Sequence, residues 1–119
     1  MYRVLLADDE QIVLRGLMKS IHWEQLDCQV AACSDSGEEA FRLAMELKPD
    51  IVITDIKMPG KTGLELIREL KEAGLSAAFL VFSGYNEFDF AKEALRLETV
   101  DYLLKPMNIE EIEQAIQRA

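Results

Sequence analysis

Ile51-Val52-Ile53 is a short apolar run, and Asp55 follows it two residues later. Four further runs of the same kind lie along the chain: Val4-Leu5-Leu6-Ala7, Val30-Ala31-Ala32, Phe79-Leu80-Val81-Phe82 and Tyr102-Leu103-Leu104. They lack the alternation of apolar and polar residues that marks a strand with one solvent-facing side. Near-continuous hydrophobicity is typical of strands that helices cover on both faces. The sequence therefore predicts five buried strands in a parallel sheet.

Amphipathic segments with a helical period separate the predicted strands and follow the last one. In the second segment, Ala40, Leu43, Ala44 and Leu47 form an apolar stripe, as in a helix packed against a core. Gly74 suits the end of the third helix, where a left-handed residue can close the last turn. Helix starts with a capping side chain and an acid three residues later lie at Ser36 and Glu39, Thr62 and Glu65, and Asn108 and Glu111.

The alternation of strand and helix repeats five times and predicts a single α/β domain over residues 1–119. Right-handed crossover connections turn such an alternation into an open parallel sheet with helices on both faces. We predict a flavodoxin-like (βα)5 fold, a three-layer sandwich whose five-stranded sheet has the order 2-1-3-4-5. A chain of 119 residues is long enough for one hydrophobic core and too short for two.

Composition excludes several classes of protein. Half of the residues are apolar and 29% are charged, which is typical of globular domains rather than disordered chains. The formal net charge of −9 predicts repulsion from nucleic acid and from anionic membranes. No apolar run approaches the roughly 20 residues of a membrane span, and early acidic residues leave no room for a secretion signal. We expect a cytoplasmic protein in which Cys28 and Cys33 are buried thiols without a metal or disulfide role.

Polar side chains follow four of the five predicted strands. Asp8 and Asp9 follow the first strand, Asp55 ends the third, Ser83 ends the fourth and Lys105 follows the fifth. In an open parallel sheet, ligands bind at the carboxyl ends of the strands, beside the point where the strand order reverses. Because these four strands are neighbours in the predicted order, the side chains should converge on one crevice.

Three carboxylates in one crevice repel one another, so a cation should neutralise them. Oxygen ligands with room for water and phosphate oxygens favour Mg²⁺. With the ammonium group of Lys105, Mg²⁺ would stabilise a phosphoryl group in transfer. Asp55 is the best candidate nucleophile, because a carboxylate can attack phosphorus to give an acyl phosphate. The sole histidine, His22, has no apparent acid or base partner in the sequence and is assigned no role.

Four motifs stand in a recognisable order and spacing: Ala7-Asp8-Asp9-Glu10, Asp55-Ile56-Lys57-Met58-Pro59-Gly60-Lys61-Thr62-Gly63, Ser83-Gly84 and Tyr102-Leu103-Leu104-Lys105-Pro106. Together they resemble the receiver domains of two-component response regulators, and the resemblance covers the whole chain. It implies that Asp55 accepts a phosphoryl group from the phosphohistidine of a sensor histidine kinase. It also implies that Asp8, Asp9, Asp55 and the main-chain carbonyl of Lys57 hold Mg²⁺.

The same resemblance implies a switch that follows phosphorylation. Lys105 would pair with one phosphoryl oxygen and Ser83 would donate its hydroxyl to another. In the family, the movement of that serine is coupled to rotation of an aromatic side chain, here Tyr102. This residue lies on the face made by the fourth helix, fifth strand and fifth helix, the expected surface for output control and homodimerisation. The peptide bond between Lys105 and Pro106 is expected to be cis.

Two further stretches, Ser83–Phe88 and His22–Glu24, resemble receivers that precede an AraC-type helix-turn-helix domain. The natural protein is therefore expected to continue past Ala119 into a DNA-binding output domain that regulates transcription. Two positions depart from the family pattern. Glu98 stands where many relatives have glycine, and Lys57 places a charged side chain two residues after the phosphoacceptor.

Two alternative functions use other chemistry. An aspartyl-phosphate phosphohydrolase would need a second acid two residues after its nucleophile, but Lys57 occupies that position. A binding module that works without phosphorylation would not need the complete set of site residues. Gly60-Lys61-Thr62 mimics the end of a Walker A motif, whose first glycine would fall at Asp55, so we reject that motif. We therefore expect a phosphoacceptor domain that assists its own phosphotransfer and dephosphorylation without being an enzyme.

Overall fold

The computed structural model describes residues 1–58, 60–83, 96, 99, 101–104 and 108–118. In these ranges the strands are β1 (Tyr2–Ala7), β2 (Cys28–Ser34), β3 (Ile51–Asp55), β4 (Ala78–Ser83) and β5 (Asp101–Leu104). The helices are α1 (Gln11–Ser20), α2 (Gly37–Leu47), α3 (Gly63–Glu72) and the C-terminal helix (Ile109–Arg118). The fourth helix expected from the sequence falls largely on residues outside the described ranges.

The five strands form one parallel sheet in the order β2-β1-β3-β4-β5. The predicted fold class and strand order are therefore confirmed. Since β1 lies between β2 and β3, the chain reverses its direction of growth across the sheet beside β1. In register, Ala7 of β1 lies opposite Thr54 of β3, so both strands reach the same edge of the sheet. We call this edge, where the strands end, the carboxyl edge, and the edge where they begin the amino edge.

Two hydrophobic cores lie on the two faces of the sheet. Alternate residues of β1 divide between them, with Val4 and Leu6 in one core and Leu5 and Ala7 in the other. The first core also contains apolar residues of α1 and the C-terminal helix, and the second contains those of α2 and α3. Full burial of each large aliphatic side chain contributes about 1.5–3 kcal/mol. Burial on both faces explains why the strand sequences are almost continuously apolar.

Local capping chemistry sets the helix starts. Thr62 and Glu65 form a complete capping box, in which each side chain accepts a hydrogen bond from the other residue's main-chain N–H. Ser36 caps α2 by accepting from the N–H of Glu39, but the expected return bond from Glu39 is replaced. The N–H of Ser36 instead donates to the hydroxyl of Ser34, which lies closer along the chain.

The C-terminal helix begins in the same way, with the side chain of Asn108 accepting from the N–H of Glu111. Gly74 adopts a left-handed conformation (φ 89°) just after α3, as the sequence predicts.

Both cysteines are free, with Cys28 buried and Cys33 half-buried. Burial is the main reason that the pKa of each thiol is raised, which keeps both protonated at neutral pH. Within the described ranges, the helices are too short and too polar to cross a membrane.

Candidate functional site

The candidate site lies at the carboxyl edge, in the turns that follow β1 and β3. Asp8 comes directly after β1, and Asp55 is the last residue of β3. Because Ala7 lies opposite Thr54 in the parallel ladder, the two aspartates emerge side by side. The site forms beside the point where the strand order reverses, as expected for an open parallel sheet.

Four carboxylates meet at this place among the residues that the structure describes. One oxygen each from Asp8, Asp9, Glu10 and Asp55 lies within 4.8 Å of the others. Asp8 and Asp55 are buried, with 1% and 6% of their surface exposed, whereas Asp9 and Glu10 are exposed. We call these four residues the acidic cluster. The predicted convergence of Asp8, Asp9 and Asp55 is thus present in the structure.

Main-chain N–H groups orient the two buried carboxylates. The N–H of Glu10 donates to Asp8 Oδ1 at 2.9 Å, and the N–H of Ile56 donates to Asp55 Oδ1, also at 2.9 Å. Such bonds favour the ionised form of a carboxyl group and fix its rotamer. The cluster therefore presents acceptor oxygens in defined positions at the crevice.

Gly63 packs directly against the main chain of Asp55. Its N–H donates to the carbonyl of Ile56 at 2.7 Å, which closes the turn after β3. A Cβ atom at this position would overlap the carbonyl oxygen of Asp55 and come within 3.0 Å of Thr54 Oγ1. That hydroxyl in turn donates to the Asp55 carbonyl at 2.9 Å. Only glycine allows this close approach, so Gly63 is required for the observed position of the Asp55 main chain.

The loop between β3 and α3 is held against α2 by Lys61. Its ammonium group lies 2.9 Å from Glu69 Oε2 and 4.7 Å from the centre of the Phe41 ring. Gly37, at the start of α2, packs against the main chain of Lys61 so closely that a Cβ would overlap its carbonyl oxygen. These contacts connect α2 and α3 through the loop that follows Asp55.

The structure describes all the other predicted site residues except Lys105. Ser83 is buried at the end of β4, one position beyond Phe82, which pairs with Asp55. Lys57 is exposed in the turn after Asp55. Tyr102 is half-buried in β5, where it lies opposite Val81 in register and packs against the second core. Lys105, its expected ion pair and its expected cis peptide bond lie outside the described residues.

Sequence reasoning missed the fourth acid of the cluster and a partner for the histidine. Glu10 follows Asp9 directly and precedes α1, a position where an acid is usually explained by the positive end of the helix. The expectation that His22 lacks an acid partner was wrong. Glu113 Oε2 lies 2.9 Å from His22 Nδ1 and also accepts the His22 main-chain N–H at 2.9 Å. The two residues are 91 positions apart in the sequence, so no local sequence pattern could predict their contact.

The donor set of the acidic cluster suits a hard divalent cation. All four donors are carboxylate oxygens, which Mg²⁺ and Ca²⁺ prefer over nitrogen or sulfur. A cation at this place would relieve the repulsion among crowded negative charges. When bound, Mg²⁺ would supply charge stabilisation to a transferring phosphoryl group. Asp55 is buried in this cluster and pairs in register with Phe82, the residue before Ser83.

Comparison with known proteins identifies the family. The family model of the response regulator receiver domain matches residues 4–117. The chain belongs to this family. The receiver domain of AraT, a response regulator from Geobacillus stearothermophilus, superposes with a TM-score of 0.88 at 37% sequence identity. That match covers 98% of this chain and 92% of the AraT domain.

Curated relatives of this receiver domain are transcriptional regulatory proteins. The chain is 44% identical over 117 residues to YesN of Bacillus subtilis and covers 98% of itself and 32% of that protein. It is 33% identical over 118 residues to HptR of Staphylococcus aureus and covers 99% of itself and 46% of that protein. The chain thus spans a third to a half of the length of these relatives. Its identification as a receiver domain of two-component signalling is confirmed.

Proposed function

We propose that this receiver domain accepts a phosphoryl group on Asp55 from the phosphohistidine of a sensor histidine kinase. A carboxylate oxygen of Asp55 attacks phosphorus, a P–O bond forms, and the P–N bond to the histidine breaks. The released imidazole nitrogen keeps the bonding pair and takes up a proton. One observation carries the proposal: a buried carboxylate at the carboxyl edge lies among three further acids and is fixed by a main-chain N–H.

Asp8, Asp9 and Asp55, with the main-chain carbonyl of Lys57, are the proposed ligands of Mg²⁺. The crowding of oxygen donors in the acidic cluster supports this assignment. The chain's own residues would orient the acceptor. Ile56 holds one oxygen of the Asp55 carboxylate through its N–H and so fixes the orientation of the group that attacks phosphorus. Gly63 keeps the Asp55 main chain from shifting during the transfer.

Phosphorylation of Asp55 is proposed to change the face around β5. Ser83 would donate its hydroxyl to a phosphoryl oxygen, and Lys105 would pair with another. Ser83 ends the strand that neighbours β5, and Val81 of that strand pairs with Tyr102, so a shift at Ser83 can reach this ring through one pair of strands. A shift in population between two conformers would then expose or remodel the surface used for output or homodimerisation.

The proposed output is transcription regulation through a DNA-binding domain that follows the receiver in the natural protein. Support comes from the relatives, which are transcriptional regulatory proteins two to three times as long as the matched region. An AraC-type helix-turn-helix remains the proposed class of that domain. The acidic receiver itself, with a net charge of −9, is not proposed to contact nucleic acid.

Phosphoramidate with Mg²⁺ is the sharpest test, because this small donor carries the same P–N bond as a phosphohistidine. Intact-mass measurement should show one added phosphoryl group on the wild-type chain and none on Asp55→Asn. Asp27→Asn is the matched control, since Asp27 is an exposed aspartate at the amino edge and should leave phosphorylation unchanged. Equal phosphorylation of Asp55→Asn and wild type would contradict the proposal.

A further inference from the structure

Glu10 is the acid of the cluster that the proposed Mg²⁺ ligand set does not use. Its carboxylate oxygen nevertheless lies within 4.8 Å of those of Asp8, Asp9 and Asp55. From this placement, and resting on the proposed function, we infer that Glu10 sets the cation specificity of the site. It raises affinity for divalent cations in general and for ions larger than Mg²⁺ in particular.

Local structure explains why the Glu10 side chain points to the cluster rather than serving α1. Glu10 is the residue that precedes the first turn of α1, with an extended main chain (φ −96°, ψ 110°). Its side chain makes no capping hydrogen bond to that helix. Its main-chain N–H donates to Asp8 Oδ1, which anchors the residue beside a buried member of the cluster. The carboxylate therefore reaches the crevice from a fixed starting point.

The spacing of the donor oxygens admits ions of both sizes. Oxygens on opposite sides of one Mg²⁺, each at about 2.0–2.1 Å, lie about 4.0–4.2 Å apart. The corresponding span for Ca²⁺, with distances of about 2.3–2.6 Å, is about 4.6–5.2 Å. Every pair of donor oxygens in the acidic cluster lies within 4.8 Å, a spacing that both ions can bridge with small movements of the side chains.

The number of ligands distinguishes the two ions. Mg²⁺ is usually held by one or two carboxylates and keeps several waters, whereas Ca²⁺ takes six to eight oxygens, as a general rule for each ion. A fourth carboxylate therefore adds more to Ca²⁺ binding than to Mg²⁺ binding. Removing it should weaken both through the lost negative charge, and Ca²⁺ further through the lost ligand.

The test titrates Mg²⁺ alone and Ca²⁺ alone into the unphosphorylated, chelator-treated chain and measures Kd by calorimetry. Glu10→Gln keeps the shape of the side chain and removes its charge. We expect the Kd for Ca²⁺ to rise about tenfold or more and the Kd for Mg²⁺ to rise only about threefold. Glu10→Asp, which keeps the charge on a shorter side chain, should fall between wild type and Glu10→Gln.

Glu24→Gln is the control for charge, since Glu24 is an exposed acid beyond the far end of α1. It should keep both wild-type affinities. Trp23 lies at that far end as well, so calorimetry is preferable to its fluorescence as a reporter of the cluster.

Three results would overturn the inference. Wild-type affinities in Glu10→Gln for both ions would show that Glu10 takes no part in binding. An equal loss for both ions would leave only a general charge effect and no specificity. Failure of the wild-type chain to bind either ion would overturn this inference together with the proposed cation site. Normal phosphorylation of Asp55 beside either of the first two results would leave the proposed function intact.

Discussion

The carboxyl edge and the amino edge of the sheet use charge in opposite ways. At the carboxyl edge, the acidic cluster brings four like charges within 4.8 Å of one another. At the amino edge, charged and polar groups meet complementary partners. Glu113 accepts two hydrogen bonds from His22, and Asp50 accepts the main-chain N–H of Arg3 at 2.8 Å. The carboxyl edge gathers carboxylates of like charge, whereas these two contacts at the amino edge each join a donor to an acceptor.

This contrast indicates where the fold carries function and where it carries stability. Crowded carboxylates cost free energy in a folded protein unless a ligand compensates them. Main-chain contacts that leave no room for a side chain, as at Gly63, hold such groups in place. At the amino edge, the contacts of His22 with Glu113 and of Arg3 with Asp50 are favourable without a ligand.

Gly63→Ala should have the largest effect on the carboxyl edge. The new Cβ would overlap the Asp55 carbonyl, so the turn after β3 must shift. We expect a loss of about 3 kcal/mol in the free energy of unfolding, measured by urea denaturation. Gly16→Ala is the control, because nothing lies within 4 Å of a Cβ at that exposed position in α1. It should gain up to about 1 kcal/mol through helix propensity. Equal effects of the two substitutions would contradict the packing argument.

Mg²⁺ should stabilise the chain through the carboxyl edge alone. At a free Mg²⁺ concentration ten times the Kd, we expect the free energy of unfolding to rise by about 1.4 kcal/mol. Asp55→Asn should lose much of this gain, because one carboxylate of the cluster is removed. Glu113→Gln, at the opposite edge, should keep all of it. Thermal unfolding with and without Mg²⁺ measures the difference, and an equal Mg²⁺ response in both variants would move the cation site away from the acidic cluster.

Lys61→Met tests whether the contacts of Lys61 with α2 and α3 stabilise the loop after Asp55. The lysine side chain is 18% exposed, and its ammonium group contacts both Glu69 and the Phe41 ring. Methionine keeps the apolar stem and removes the charge, so we expect a loss of about 1 kcal/mol in urea denaturation. Arg42→Gln breaks an ion pair whose two side chains are each 59% exposed, and should cost about 0.3–0.5 kcal/mol. If Lys61→Met lost less free energy of unfolding than Arg42→Gln, the contacts of Lys61 with Glu69 and Phe41 would not be stabilising.

The fold could be predicted from the sequence because its signals are local. Each apolar run, such as Ile51-Val52-Ile53, reports burial on both faces, and each cap, such as Thr62 with Glu65, marks a helix start. Because crossover connections between parallel strands are right-handed, few arrangements of the strands in the sheet are then possible. The missing return bond at Ser36 shows the limit of a local pattern. Its N–H has a competing acceptor in Ser34, and sequence alone does not rank the two.

The site was only partly predictable, for the same reason. Strand ends identify Asp8, Asp9 and Asp55, because parallel strands finish at one edge. Sequence does not tell whether Glu10 turns towards the crevice or towards its helix, since both positions suit an acid. The contact between His22 and Glu113 depends on how the C-terminal helix packs against the end of α1, which is a property of the whole fold.

The smallest predicted effect is the pH dependence of that contact at the amino edge. The pKa of Glu113 lies below its ordinary value of 4.5, first because the His22 main-chain N–H donates to the carboxylate and then because the ring does. A lowered pKa in the folded state contributes stability that is present above pH 4.5 and is lost as the pH falls through the lowered value. Glu113→Gln should therefore unfold at a slightly lower temperature than wild type at pH 7. The difference should shrink as the pH is lowered below about 4.5. Glu24→Gln controls for the loss of one exposed charge, and a difference that persisted unchanged at pH 3 would assign the effect of Glu113 to packing rather than charge.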